Sequence, residues 1–141
     1  MKIYNLFISH AWKYNSDYYS LESKLKEYSN SHWNFNFKNY SVPQHNPILD
    51  PDSDYSRKIL ESELEGQIKP SSCILVISGM YVAHKYWIQK EIELAKKHNK
   101  VIIGIRPWGA ERIPSIISEN ATDIVSWNTE SIVNAIKKYC N

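Results

Sequence analysis

Cys73-Ile74-Leu75-Val76-Ile77-Ser78 is a continuous apolar run that ends on a small polar residue. Apolar side chains at consecutive positions bury both faces of a strand, and such strands belong to parallel sheets covered by helices. This one segment therefore predicts an α/β chain with the run near the centre of its sheet.

The flanking sequence supplies the remaining layers. Ile3 to Ser9 reads as a short buried strand. Asn15-Ser16-Asp17 is a helix start, and Tyr18, Leu21, Leu25 and Tyr28 follow at helical spacing. Trp33, Phe35 and Phe37 alternate with Asn34, Asn36 and Lys38, a period-two strand. Asn39 to Asp54 is a long polar loop holding Pro43, Pro47 and Pro51. Tyr55, Ile59, Leu60, Leu64 and Ile68 mark the next helix, stopped near Pro70. After the central run come a helix with Trp87, Ile88, Glu91, Ile92 and Ala95, a strand from Val101 to Ile105, and a short helix over 113–117. A strand from Asp123 to Trp127 and a closing helix from Glu130 to Tyr139 complete the chain. The βα alternation predicts one domain over residues 1–141, a five-stranded parallel sheet with helices on both faces. Its expected order is 2-1-3-4-5, as in flavodoxin-like folds. In that order the ligand crevice opens at the ends of strands one and three, where the loops Ser9 to Ser16 and Ser78 to Ala83 meet and the helix of Glu91 begins.

Composition narrows the function. The 141 residues carry a net charge of +2, with 43% hydrophobic and 23% charged residues, which describes a soluble globular chain. No dense Lys/Arg block exists; Lys96, Lys97, His98 and Lys100 fall at a helix end, where cations suit the dipole. No nucleic-acid partner is expected. No segment reaches transmembrane length and the N-terminus lacks an apolar leader, so no membrane partner is expected either. Cys73 reads as a small buried hydrophobe, and two distant cysteines make no disulfide framework. A reducing cytoplasm is the expected compartment. Asp50, Asp52, Asp54 and Glu61 mimic positions 1, 3, 5 and 12 of a calcium loop, but Tyr55 stands where that loop needs Gly. No metal and no bound cofactor are expected; there is no Walker A, G-x-G-x-x-G, H-E-x-x-H or zinc-spaced Cys pair. The places of a receiver domain's acids hold Ser78 and Ser9-His10.

An aromatic ring and a carboxylate four residues apart, Trp87 and Glu91, share one helix face at the rim of the crevice. Such a pair can hold a sugar and stabilise positive charge on it. Around it, Phe7-Ile8-Ser9-His10-Ala11-Trp12 resembles the opening motif of TIR-like domains. Asn39-Tyr40-Ser41-Val42-Pro43 resembles their BB loop. Ile77-Ser78-Gly79-Met80-Tyr81 and Trp87-x-x-x-Glu91 resemble the strand-three exit and catalytic helix of NAD-cleaving TIR domains. The ordered set, running over essentially the whole chain, is most similar to the TIR-like family of bacterial Thoeris anti-phage systems.

The resemblance implies a flavodoxin-like TIR fold and an enzyme that breaks the nicotinamide–ribose bond of NAD, with Glu91 as the catalytic residue. It implies a cyclic ADP-ribose-type messenger read by a separate effector protein, and self-association through the BB loop. NAD is then substrate, not cofactor. Substrate contacts are expected from Phe7, Ser9, His10, Trp12, Ser41, Met80, Tyr81 and Trp87. Each has a plainer alternative. Phe7 and Trp87 can be core, Ser9 and His10 turn residues, Tyr81 a helix start. Trp12 is expected in an exposed loop, available for base stacking. Glu91 can be a surface carboxylate facing Lys85 or Lys96. The loop His10-Ala11-Trp12-Lys13-Tyr14 departs from many TIR domains and leaves only Lys13 as a phosphate contact. A non-catalytic TIR-like adaptor and a nucleoside 2-deoxyribosyltransferase-like enzyme, with Glu as nucleophile, are the rival readings.

Overall fold

The computed structural model describes residues 2–12, 15–41, 53–81, 84–106 and 112–140. Strands and helices alternate: β1 (Tyr4–Ile8), α1 (Ser16–Ser31), β2 (Phe37–Asn39), α2 (Asp54–Ile68), β3 (Cys73–Ile77), α3 (Lys85–Lys97), β4 (Val101–Arg106), α4 (Ser115–Asn120), β5 (Asp123–Ser126) and α5 (Thr129–Tyr139). All pairings are parallel and the order is β2-β1-β3-β4-β5, the flavodoxin-like order that the alternation predicts.

β3 is the centre. Each of its five residues is buried, and its register sets Leu6, Phe7 and Ile8 of β1 beside Cys73, Ile74 and Leu75. On the other side Cys73 to Ile77 pair with Val101 to Ile105 of β4. The apolar stripes of the helices then cover the sheet, α1 packing beside α5, and α2, α3 and α4 following one another. Leu21 and Leu25 of α1, Leu60, Leu64 and Ile68 of α2, and Ile88, Ile92 and Ala95 of α3 are all buried. Asn15 caps α1, its side chain accepting the Tyr18 N–H, and Asn128 does the same for α5 through Ser131. The basic end of α3 does more than answer the dipole. Lys97 and His98 both donate to Glu65 of α2, at 2.8 and 2.6 Å, and these bonds hold the Glu65 carboxyl down at about 2.

Two expectations need correction. The alternation from Trp33 to Phe37 is not all strand. After α1 the chain must turn, Phe35 N–H returning to the His32 carbonyl, so β2 begins only at Phe37 and Trp33 is 83% exposed. Phe35 is buried against Tyr4, Tyr28 and Phe37. The cysteines are also not separate thiols. α5 returns the chain to the start of β3, and Cys140 is disulfide-bonded to Cys73 with 5.6 Å between Cα atoms. The cysteine argument for a reducing compartment falls with that bond. Among the described residues no helix is long and apolar enough to cross a membrane.

Gly104 shows how closely α4 sits on the sheet. A Cβ there would lie 3.1 Å from Ile117 and 3.3 Å from Ile124. Gly104→Val should therefore destabilise by about 1–3 kcal/mol through overpacking. Gly66→Ala, in α2 with nothing within 4 Å of the added carbon, should stabilise by about 0.5–1 kcal/mol through helix propensity. Urea midpoints read both; a Gly104→Val protein as stable as the parent would mean that α4 is not seated there.

Candidate functional site

The site begins where β1 runs out. Beyond Ile8 the chain stays tied to β3 for one residue: Ser9 N–H donates to the Leu75 carbonyl at 2.8 Å, and Ser9 Oγ accepts the Ile77 N–H at 3.0 Å. Then it turns sharply. Ala11 and Trp12 have φ of 51° and 59°, the left-handed region, which costs a residue with a side chain about 1–2 kcal/mol. The turn is held from α3. Glu91 Oε2 accepts the backbone N–H of His10 at 3.0 Å and of Ala11 at 2.9 Å. Two successive amides thus converge on one carboxyl oxygen.

Glu91 is fully enclosed, at 0% exposure. The expectation of a rim carboxylate, partly shielded or paired with Lys85 or Lys96, is thus corrected. Lys90, the basic neighbour on α3, faces Glu61 and Glu93 instead. The other carboxyl oxygen, Oε1, is buried with no hydrogen-bond partner among the described residues. Burial pushes the Glu91 carboxyl up to about 8, against the pull of the His10 and Ala11 amides. At neutral pH the group is therefore mostly protonated, and since Oε2 takes both amides the proton belongs on Oε1.

Aromatic rings close the site. Trp12 is 3% exposed and meets Trp87 edge to face at 6.3 Å, so the expected exposed stacking residue is a buried wall. Trp87 stands one turn before Glu91 on α3. Phe7 is wholly buried and lies 5.1 Å from the His10 ring. His10 is buried as well, bonded through Nδ1 to the Trp12 N–H and through Nε2 to Gln67. The structure thus brings Phe7, His10, Trp12, Trp87 and Glu91 into one cluster, with Ser9 at its strand end.

The other expected contacts come from the segments after β2 and β3. Ser41 belongs to a network that ties the chain after β2 to its neighbours: its Oγ accepts the Ile8 N–H at 3.2 Å and meets Tyr18 Oη at 3.2 Å and Asn39 Oδ1. Burial in that network raises the Tyr18 phenol. Met80 closes a 3-10 turn, Ser78–Met80, after β3. Tyr81 follows it, its hydroxyl accepting from Gln89 at 3.1 Å. Lys13, Asp50, Asp52 and Pro43 lie outside the described residues. A groove of about 460 Å³ runs between α2 and α3, lined by Lys58, Glu61, Glu65, Lys90, Glu93 and Lys97 among others. Its carboxylates are largely paired, Glu65 with Lys97 and His98, Glu61 with Lys90. Glu91, by contrast, keeps one buried oxygen without a partner among the described residues.

A parallel sheet in this order, with a carboxylate from the third helix seated under the turn after the first strand, defines a TIR-like fold. The family model for the TIR-like domain of the Thoeris protein ThsB matches residues 7–112, and the chain belongs to that family, part of anti-phage defence. The matched span starts at Phe7 and includes every residue of the cluster. Comparison with curated proteins finds no match for the chain.

Sequence reasoning missed Gln67. Its signal was available: a polar residue in the stripe of Leu60, Leu64 and Ile68, almost completely buried with them.

The raised Glu91 carboxyl has a sign that can be tested. Between an ordinary value of 4.5 and about 8, the folded protein holds a proton that the unfolded chain has released. Stability therefore falls as pH rises through that window and levels off above it. Glu91→Gln keeps a carbonyl for the two amides and removes the titration. The parent's melting temperature should fall relative to Glu91→Gln from about pH 4.5 to about 8; a constant difference would mean that Glu91 ionises normally in the fold.

Proposed function

We propose that the chain is an NAD-cleaving enzyme of anti-phage defence that breaks the nicotinamide–ribose bond and releases a cyclic ADP-ribose-type messenger for a separate effector. The observation that carries this reading is the buried Oε1 of Glu91, which has no hydrogen-bond partner among the described residues. Family membership supports it.

The chemistry suits the cluster. As the bond from ribose to nicotinamide breaks, the electron pair leaves with nicotinamide and the sugar carbon becomes oxocarbenium-like. A carboxylate held in a site that excludes water stabilises that centre and orients the ribose hydroxyls. The nicotinamide ring of NAD is already cationic, so its arrival favours the ionised form of Glu91. Trp12, Trp87 and Phe7 offer flat faces to the ring or sugar. Water as nucleophile gives ADP-ribose and a proton; a hydroxyl of the same molecule gives a cyclic ADP-ribose, lighter than ADP-ribose by one water, and likewise releases its proton. Entry of a nucleotide requires Trp12 and Trp87 to part. A phage-derived trigger and self-association are how this reading accounts for such opening. NAD as substrate makes the cytoplasm the site of action.

A second reading has its own observation. Glu91 is wholly enclosed and already holds two amides, which is what a purely structural carboxyl does in an assembly module without turnover. Mass spectrometry of NAD incubated with concentrated protein, with and without lysate from phage-infected cells, separates the two. The catalytic reading expects nicotinamide release, lowered about 100- to 1000-fold in Glu91→Gln. It also expects kcat/KM to rise as pH approaches about 8. NAD left intact in every condition would favour the assembly module.

A further inference from the structure

Glu91 does not hold its turn alone. The His10 ring is packed among Phe7, Trp12 and Tyr18, at centroid distances of 5.1, 5.0 and 6.4 Å. The Trp12 N–H lies 2.9 Å from His10 Nδ1. A backbone amide only donates, so Nδ1 is the acceptor and the proton of the neutral ring sits on Nε2. Nε2 in turn lies 3.0 Å from Gln67 Oε1. The ring donates there, and the Gln67 amide must present its oxygen. Tautomer and amide orientation thus both follow from one donor that cannot be reversed.

We propose that Gln67 is a positioning residue for Glu91: it keeps His10 in the Nε2–H form, which leaves Nδ1 open for Trp12 and so fixes the turn whose amides grip Glu91. A hydrogen on Nδ1, in the other tautomer or in the imidazolium, would face the Trp12 N–H donor to donor. The bond is then lost, and the left-handed Ala11 and Trp12 lose a restraint that offsets their strain. Gln67 therefore acts from α2 through His10 and touches no reacting atom. Among the described residues, the titratable side chains that meet His10 are Tyr18 from α1, against its ring, and Glu91 from α3, on its backbone amide. The kinetic part of this inference rests on the catalytic reading of Glu91; the positioning part does not.

The test uses the full chain with Gln67→Glu and Gln67→Leu. Nitrogen-15 shifts of His10 report its tautomer and charge, carbon-13 shifts of the Glu91 carboxyl report its titration, and NAD cleavage reports kcat and KM. The parent should show the Nε2–H tautomer. A carboxylate opposite Nε2 favours the imidazolium, so Gln67→Glu should keep His10 charged to a pH about one unit higher than the parent. In both variants the Glu91 midpoint should rise, because the amide bonds that lower it weaken. The kcat should fall about 100-fold, the cost of a misplaced group, with KM changed far less. That loss should recover at high pH in Gln67→Glu and persist in Gln67→Leu. A parent His10 in the Nδ1–H form, or one Glu91 midpoint shared by all three proteins, overturns the proposal. If Gln67→Leu does not fold, the near-isosteric Gln67→Glu and the parent decide it. Absence of NAD cleavage in the parent would sink the catalytic reading alone, since both titrations still judge the positioning.

Discussion

The grip of one Glu91 oxygen on the amides of His10 and Ala11 is the interaction on which the rest of the site depends. It joins α3 to the end of β1 across the mouth of the sheet. It makes a left-handed turn tolerable in residues that carry side chains. The turn then buries Trp12 against Trp87 and lays the His10 ring against Phe7. Removing the carboxyl altogether would leave two amides unsatisfied, at about 1–3 kcal/mol each, and would dissolve the walls along with the acid. Structure and candidate chemistry share one side chain, one oxygen each.

That sharing explains the electrostatics. Elsewhere on the surface, carboxylates are settled by partners, as Glu65 is by Lys97 and His98. Glu91 has no cation near it among the described contacts, and its burial keeps it neutral around pH 7. The neutral acid is the form that burial favours in the fold. An arriving cation would change the balance, because a buried carboxylate gains most from charge that cannot be screened by water. On the catalytic reading, the burial that holds Glu91 neutral in the fold would also strengthen its pull on such a cation.

The sequence carried the scaffold well and the site unevenly. The apolar run from Cys73, the helical spacing around Leu60 and Ile88, and the βα rhythm are dense local signals, and the strand order follows from them. The edge strand was harder: three aromatic residues in alternation spanned a turn, and only tertiary packing separates exposed Trp33 from buried Phe35. Glu91 was legible from its spacing to Trp87, but not its burial, since the turn that closes on it comes from residues 10 and 11, 81 and 80 positions away. Gln67 was visible only as a polar break in an apolar stripe. The disulfide was missed because 67 positions separate Cys73 from Cys140, and nothing local reports that α5 returns to β3.

The measurement that reaches the central claim most directly is a crystal structure of Glu91→Gln with NAD bound, a variant that keeps the turn while slowing cleavage. The account predicts that Trp12 and Trp87 part and that the ribose carbon bonded to nicotinamide lies against the free end of residue 91. The amides of His10 and Ala11 should still rest on its carbonyl. NAD seated elsewhere, with residue 91 enclosed as before, would contradict the account and leave Glu91 as the keystone of a turn and nothing more.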